Sequence, residues 1–276
     1  MPWGGLRLPS GEKRLSKLER SQLTIENPLN EIIIVLLLGD GHIQKRSLIG
    51  NSRFMYGQSS LRIQHLNYFN HGLELFKPYL SKDFKLKTKS FKDKRNNKNY
   101  SSVNFATLSM PCFNYYNCLF YNSDNSKIVP SNIQDLLTPR GLAYWIMDDG
   151  SLQNKGLHLN TYGFTNQGVL NLKSALENMF GVNTLKCSIH KHKKGERIYI
   201  WEESMDLLRH NISQFMHKNM LYLLPSVSWR GPRLLLYPGY YPDIIIRLIK
   251  KNSFFLISGF RPTFCLVIYD YRQEQR

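Results

Sequence analysis

Two aspartates, Asp40 and Asp149, stand where an apolar run gives way to glycine, in Leu38-Gly39-Asp40-Gly41 and Met147-Asp148-Asp149-Gly150. A helix ending there leaves its last carbonyls without intrahelical partners and its dipole negative. A carboxylate beside such carbonyls is a hard-oxygen site suited to Mg²⁺. Two such ends side by side would repel, and divalent cations between them relieve the repulsion. Paired carboxylates with two or more metal ions suit in-line phosphodiester hydrolysis, one ion activating water and another stabilising the leaving oxygen. A lone Asp-Gly after an apolar run is often merely a turn. The recurrence, rather than either copy, therefore carries the chemistry.

The elements that must hold the two carboxylates also occur twice. Asn27-Pro28 opens the first apolar run and Thr138-Pro139 the second, so each reads as a helix with a capping residue, a proline at its first position and a glycine stop. The copies are separated by the length of a small domain, which points to an internal duplication. Gly39, Gly41, Ala143 and Gly150 are small enough for close packing at the helix ends. In the first run, Ile32-Ile33-Ile34-Val35 also fits a buried strand, because β-branched residues are mediocre helix formers. Strand-like segments follow each run, at residues 53–58, 85–92 and 100–107, then 157–162, 185–192 and 197–201. Helix-like segments fall at 65–79, 169–180 and 204–216. Each half thus orders as helix, strands, helix, strands, helix, an α+β pattern with mainly antiparallel sheets.

Charge indicates the partner. The 276 residues carry 37 Lys and Arg against 20 Asp and Glu, a formal charge of +17, with aromatics at 13% interleaved among the basic residues. That balance favours a polyanion, and nucleic acid over a membrane surface. Lys85, Lys87 and Lys89 alternate, and Lys191 and Lys193 repeat the period-two pattern, so a basic sheet face is expected along a DNA groove. A merely solvated lysine face is the alternative for either strand alone. No run approaches the roughly 18 apolar residues of a membrane span. The four cysteines lack CxxC spacing, so neither a disulfide framework nor a zinc ribbon is indicated. Cys187, His190 and His192 have no fourth ligand at motif spacing and fit a DNA-facing strand better than zinc.

The two runs, IIVLLLGDG from Ile33 to Gly41 and LAYWIMDDG from Leu142 to Gly150, resemble the paired LAGLIDADG motifs of single-chain homing endonucleases encoded by mitochondrial and chloroplast introns. The flanks Gly41-His42-Ile43 and Leu136-Leu137-Thr138-Pro139 extend the resemblance, which runs from about residue 28 to 225. It implies a pseudo-two-fold pair of αββαββα repeats, with motif helices at the centre and two antiparallel sheets forming a saddle over DNA. It implies Mg²⁺, two or more ions, at Asp40 and Asp149, assisted by the carbonyls of Gly39 and Asp148. It further implies a lysine at the scissile phosphate, here Lys127, and a water-positioning glutamine, here Gln58. The residues expected to face DNA are Arg53, Lys85, Lys87, Lys89 and Lys92 in the first half, and His190, His192, Lys193 and Arg197 in the second. The implied activity is cleavage of a long double-stranded site across the minor groove, leaving 3′ overhangs, by a mitochondrial or chloroplast monomer.

Alternatives within the same scaffold are an RNA maturase that binds its intron RNA and a catalytically inactive DNA-binding remnant. One departure bears on them. Relatives read Met-Leu-Tyr-Lys near the end of the second repeat, whereas this chain reads Met220-Leu221-Tyr222-Leu223. Leu223 cannot supply a charge, so one centre is expected to be weakened and the protein to nick more readily than it breaks both strands. Residues 1–26 read as a basic, mobile lead-in, 27–135 and 136–225 as the two repeats, and 226–276 as an extension without a legible fold.

Overall fold

The computed structural model describes residues 15–93 and 97–225. After a short helix α1 (Lys17–Gln22), the first repeat runs α2 (Leu29–Leu38), β1 (His42–Gln44), β2 (Arg53–Ser59), α3 (Ile63–Phe76), β3 (Thr88–Asp93), β4 (Lys98–Ala106) and α4 (Asn114–Phe120). A single turn, α5 (Ile133–Leu136), leads into the second: α6 (Pro139–Asp149), β5 (Gly150–Gln153), β6 (Gly156–Asn160), α7 (Asn166–Asn178), β7 (Cys187–His192), β8 (Gly195–Ile200) and α8 (Met205–Ile212). Each repeat is αββαββα, with antiparallel sheets ordered β1-β2-β4-β3 and β5-β6-β8-β7. This is the expected α+β architecture.

Helices α2 and α6 pack against each other. Every residue of α2 from Ile32 to Leu38 is buried, and a helix apolar all round belongs inside a core. Burial thereby overrides the weak helix propensity of its β-branched run and decides against a strand. Close approach needs Gly141, where an added Cβ would lie 3.0 Å from Val35 Cγ1. The starts of the two helices are tied by Thr138 Oγ1, which donates to Glu31 Oε2 at 2.6 Å, and by Arg140, 3.5 Å from the same carboxylate.

The caps differ from the symmetric expectation. Thr138 caps α6 by accepting from Gly141 N, with Pro139 at the first helical position. Pro28, however, is itself the residue before α2 and provides no side-chain cap. At the other end α2 stops at Leu38 and Gly39 closes it, whereas α6 continues through Asp149. The two aspartates therefore leave their helices from unequal positions.

Other boundaries also shift. The period-two stretch at Lys85–Lys89 was expected to be strand throughout, yet β3 begins only at Thr88, so Lys85 and Lys87 precede it. Strands β1 and β5, too short to show a pattern, and α4 were implied by the αββαββα resemblance but could not be placed from the residues. The part of the lead-in from residue 15, expected to be mobile, carries helix α1 and a tie to the first repeat. Ser16 and Glu19 form a reciprocal capping box on α1, and Tyr79 OH donates to Thr24 O at 2.6 Å. The expected extension at 226–276 lies outside the described residues.

Candidate active site

Packing α2 on α6 brings Asp40, Asp148 and Asp149 together, although two of them belong to the other repeat. Asp148 Oδ2 accepts from the backbone N of Asp40 at 2.9 Å, while Asp148 Oδ1 accepts from Tyr56 OH and Gln58 Nε2, each at 2.7 Å. Gln58 Nε2 also lies 3.5 Å from Asp40 Oδ2. Its Oε1 is 3.3 Å from His65 Nδ1, a bond that forms when that nitrogen carries the proton. Lys127 Nζ donates to Gly39 O at 3.0 Å and Gly41 O at 2.8 Å, bracketing Asp40. Asn160 Nδ2 donates to Asp149 O at 3.1 Å.

Three carboxylates thus share one ammonium. Desolvation, then the Asp40 charge, raises Asp148 to about 7, and desolvation with Asp148 and Asp40 raises Asp149 to about 8. Asp40 is raised by burial and partly relieved by Lys127. Burial lowers Lys127, and the three carboxylates oppose that shift. Uncompensated negative charge among hard oxygens suits a divalent cation. Among the described residues no three carboxylate, imidazole or thiolate side chains are arranged to hold a metal ion. Asp148 is already engaged by three donors, so Asp40 and Asp149 are the carboxylates of this cluster left that could bind one.

The two halves of the site are chemically unequal. His42 and Ser151 each lie two residues beyond a motif aspartate, and they pair with Met55 and His158. Counting on from those partners makes Leu159 the counterpart of Tyr56 and Thr161 that of Gln58. The acidic Asp148 therefore faces the polar pair Tyr56 and Gln58, while its own counterpart is Gly39. On the second-repeat side, Leu159 and Leu223 are buried apolar residues. Sequence reading assigned Asp148 only a carbonyl role and missed Tyr56 and His65. The available signals were an aspartate where the other motif has glycine, and Tyr56 two residues before Gln58 on the buried strand face.

The open sheet faces, opposite the helices, carry the residues expected to meet DNA, but not all of them. In β2 the buried side is Phe54, Tyr56 and Gln58, which leaves Arg53 on the open face. Lys89 pairs with Ser102 on that face, whereas Lys92 falls on the opposite one by strand alternation. In β7, His190 and His192 share the open face with Arg197 of β8; Lys191, expected to align with Lys193, alternates to the other side, and Lys193 sits in the turn. Cys187 also points away from His190 and His192, so the three do not converge. His158, unmentioned in the sequence reading, lies on the open face with Nε2 3.1 Å from His190 Nδ1, and Tyr199 stacks on His190. Burial and the nearby Arg197 and His190 lower His158 to about 4, keeping it neutral at physiological pH.

Comparisons with known proteins agree with this geometry. The chain matches the LAGLIDADG DNA endonuclease family over residues 30–208. It is 31% identical to cytochrome b mRNA maturase bI2 of Saccharomyces cerevisiae over 71% of this chain, a match covering 48% of that longer protein. It is 29% identical to DNA endonuclease I-ChuI of Chlamydomonas applanata, covering 72% of this chain and 95% of the other. In structure it resembles the homing endonuclease I-WcaI bound to its DNA recognition sequence, with a TM-score of 0.65 at 24% identity over 74% of this chain and 88% of that one. With the family match spanning well over half of the sequence and both motifs at the helix junction, this protein belongs to the LAGLIDADG DNA endonuclease family.

Proposed function

We propose that this chain is a site-specific, divalent-metal-dependent homing endonuclease of an organellar intron, acting as a monomer on double-stranded DNA and leaving 3′ overhangs. The observation that carries the reading is the meeting of Asp40 from one repeat and Asp149 from the other at a single charge-rich junction beneath two open sheet faces. Intron-encoded and cytochrome b names among the relatives support an organellar, in particular mitochondrial, setting.

Asp40 and Asp149 would hold Mg²⁺ with the carbonyls of Gly39 and Asp148, and the metal supplies Lewis acidity and a water poised for attack at phosphorus. The protein's own groups do the positioning. Lys127 holds the chain on both sides of Asp40 and presents a cation to a scissile phosphate. Gln58, oriented by His65 and Asp148, places an amide beside Asp40 where a nucleophilic water would stand. Basic and imidazole groups on the open faces, including Arg53, Lys89, His190, His192 and Arg197, set register on the duplex.

The second-repeat side has Leu159 and Thr161 where the first has Tyr56 and Gln58, and Leu223 where relatives have a lysine, which supports unequal centres and a bias toward nicking. The names of the maturase relatives fit a second reading, in which the protein assists splicing of its intron RNA. Incubating the protein and Mg²⁺ with plasmids carrying either the joined exons or the same exons with the intron in place separates them. Cleavage of the joined-exon plasmid alone supports the endonuclease. Binding to intron RNA, with no cutting of either plasmid, supports the maturase.

A further inference from the structure

The connections between the first two strands of each sheet are unequal. In the second repeat β5 returns to β6 through the tight turn Asn154-Lys155, with Asn154 at φ 56°. In the first repeat β1 returns to β2 through residues 45–52, whose tip is a turn closed by Gly50 N donating to Ser47 O at 3.2 Å. Leu48 and Ile49 occupy its two central positions and are 94% and 100% exposed. Central turn positions normally carry Gly, Pro, Asn, Asp or Ser, and two adjacent aliphatics fully in water gain nothing for the fold.

The turn is presented from a fixed, cationic base. Asn114 Oδ1 accepts from Ser52 N at 2.8 Å, Asn114 Nδ2 donates to Asn51 Oδ1 at 3.0 Å, and Met110 N donates to Ser52 O. Arg46 and Arg53 both donate to Gln44 Oε1, at 3.4 Å and down to 2.6 Å, on the same open face as Arg53. Lys45 is exposed beside them. Apolar tips framed by cations suit nucleic acid, where arginines take phosphates while aliphatic groups press on base edges or between base steps.

Resting on the endonuclease reading above, we propose that Leu48 and Ile49 form an apolar wedge that docks on duplex DNA outside the first-repeat half-site, extending recognition on that side only. No equivalent element projects between β5 and β6, so the footprint is longer at one end.

The test measures affinity of the full chain for two duplexes spanning the joined-exon junction, one with long flanks and one trimmed on the side bound by the first repeat, in Ca²⁺ to prevent cutting. Wild type is compared with the Leu48→Ser, Ile49→Ser double variant, whose sites are solvent-exposed. The wedge predicts that the variant binds the long duplex on the order of tenfold more weakly, while the two proteins bind the trimmed duplex equally. Equal binding to both duplexes, an equal loss on both, or a self-association of wild type that the variant abolishes overturns it. Failure of wild type to bind either duplex overturns the wedge and the endonuclease reading together, and so differs from every result that removes the wedge alone.

Discussion

Gly39 is a glycine because Asp148 occupies the space its side chain would need. A Cβ at position 39 would lie 2.2 Å from Asp148 Oδ2 and 2.6 Å from Asp149 Oδ2. The contact crosses the repeats and holds the main chain of the first motif against the carboxylates of the second. It also explains why the two motifs differ at equivalent positions: one brings an acid, the other leaves room for it.

Gly39→Ala should therefore destabilise the protein by about 1–3 kcal/mol, as forced overpacking does, and abolish cutting by displacing Asp40. Its stability cost should shrink by at least about 1 kcal/mol when Asp148 is also Ala, because the nearer of the two clashing carboxylates is gone and only Asp149 Oδ2 remains in the way. Urea unfolding of the four proteins in the cycle checks this; additive costs would separate the two residues.

Without divalent metal, stability should fall as pH rises. The folded state holds protons on Asp148 and Asp149 up to about 7 and 8, whereas the unfolded chain releases them near 3.8. Between those values the native state binds more protons, so raising the pH favours unfolding. The loss should begin above about pH 4 and be complete by about pH 8. Melting temperatures across that range should decline less in Asp149→Asn, and Mg²⁺ should raise them most at the alkaline end. A flat profile would mean that the carboxylates are not crowded.

Tyr56→Phe removes one of three donors to Asp148 and leaves the ring in its buried place. Cutting should slow on the order of tenfold, in keeping with about 1.5 kcal/mol, the low end for one hydrogen bond to a charged partner, while DNA affinity is unchanged. Single-turnover rates at saturating protein, set beside Kd, distinguish this from a binding defect.

The buried Leu223 predicts a strand bias. Wild type should accumulate open-circular plasmid before linear product, and Leu223→Lys should shorten that lag at some cost in stability, since it places an ammonium where an apolar side chain is now enclosed. Linear product that appears without an open-circular intermediate would contradict unequal centres.

Much of this arrangement is legible in the chain. The two apolar runs, their spacing and their terminal Asp-Gly locate the central helices and Asp40 and Asp149, because burial and helix termination are local properties. Alternation alone separates Lys92 from Lys89, but it could not provide where β3 begins or which side of β7 is open: the start at Thr88 leaves Lys85 and Lys87 outside the strand, and the parity of β7 puts Lys191 off the open face. Nor could local pattern reveal that Asp148 reaches Tyr56 and Gln58, since that contact exists only once α6 lies against α2 and the other repeat's second strand.

The most direct test is strand-resolved cleavage of a joined-exon duplex labelled separately on each strand, with Mg²⁺, by wild type, Asp40→Asn and Asp149→Asn. Wild type should cut both strands at unequal rates, and each variant should lose cleavage of both strands by a large factor while retaining DNA binding, because the carboxylates act at one shared junction. Undiminished cutting of either strand by either variant would contradict the claim that Asp40 and Asp149 together form the hydrolytic site.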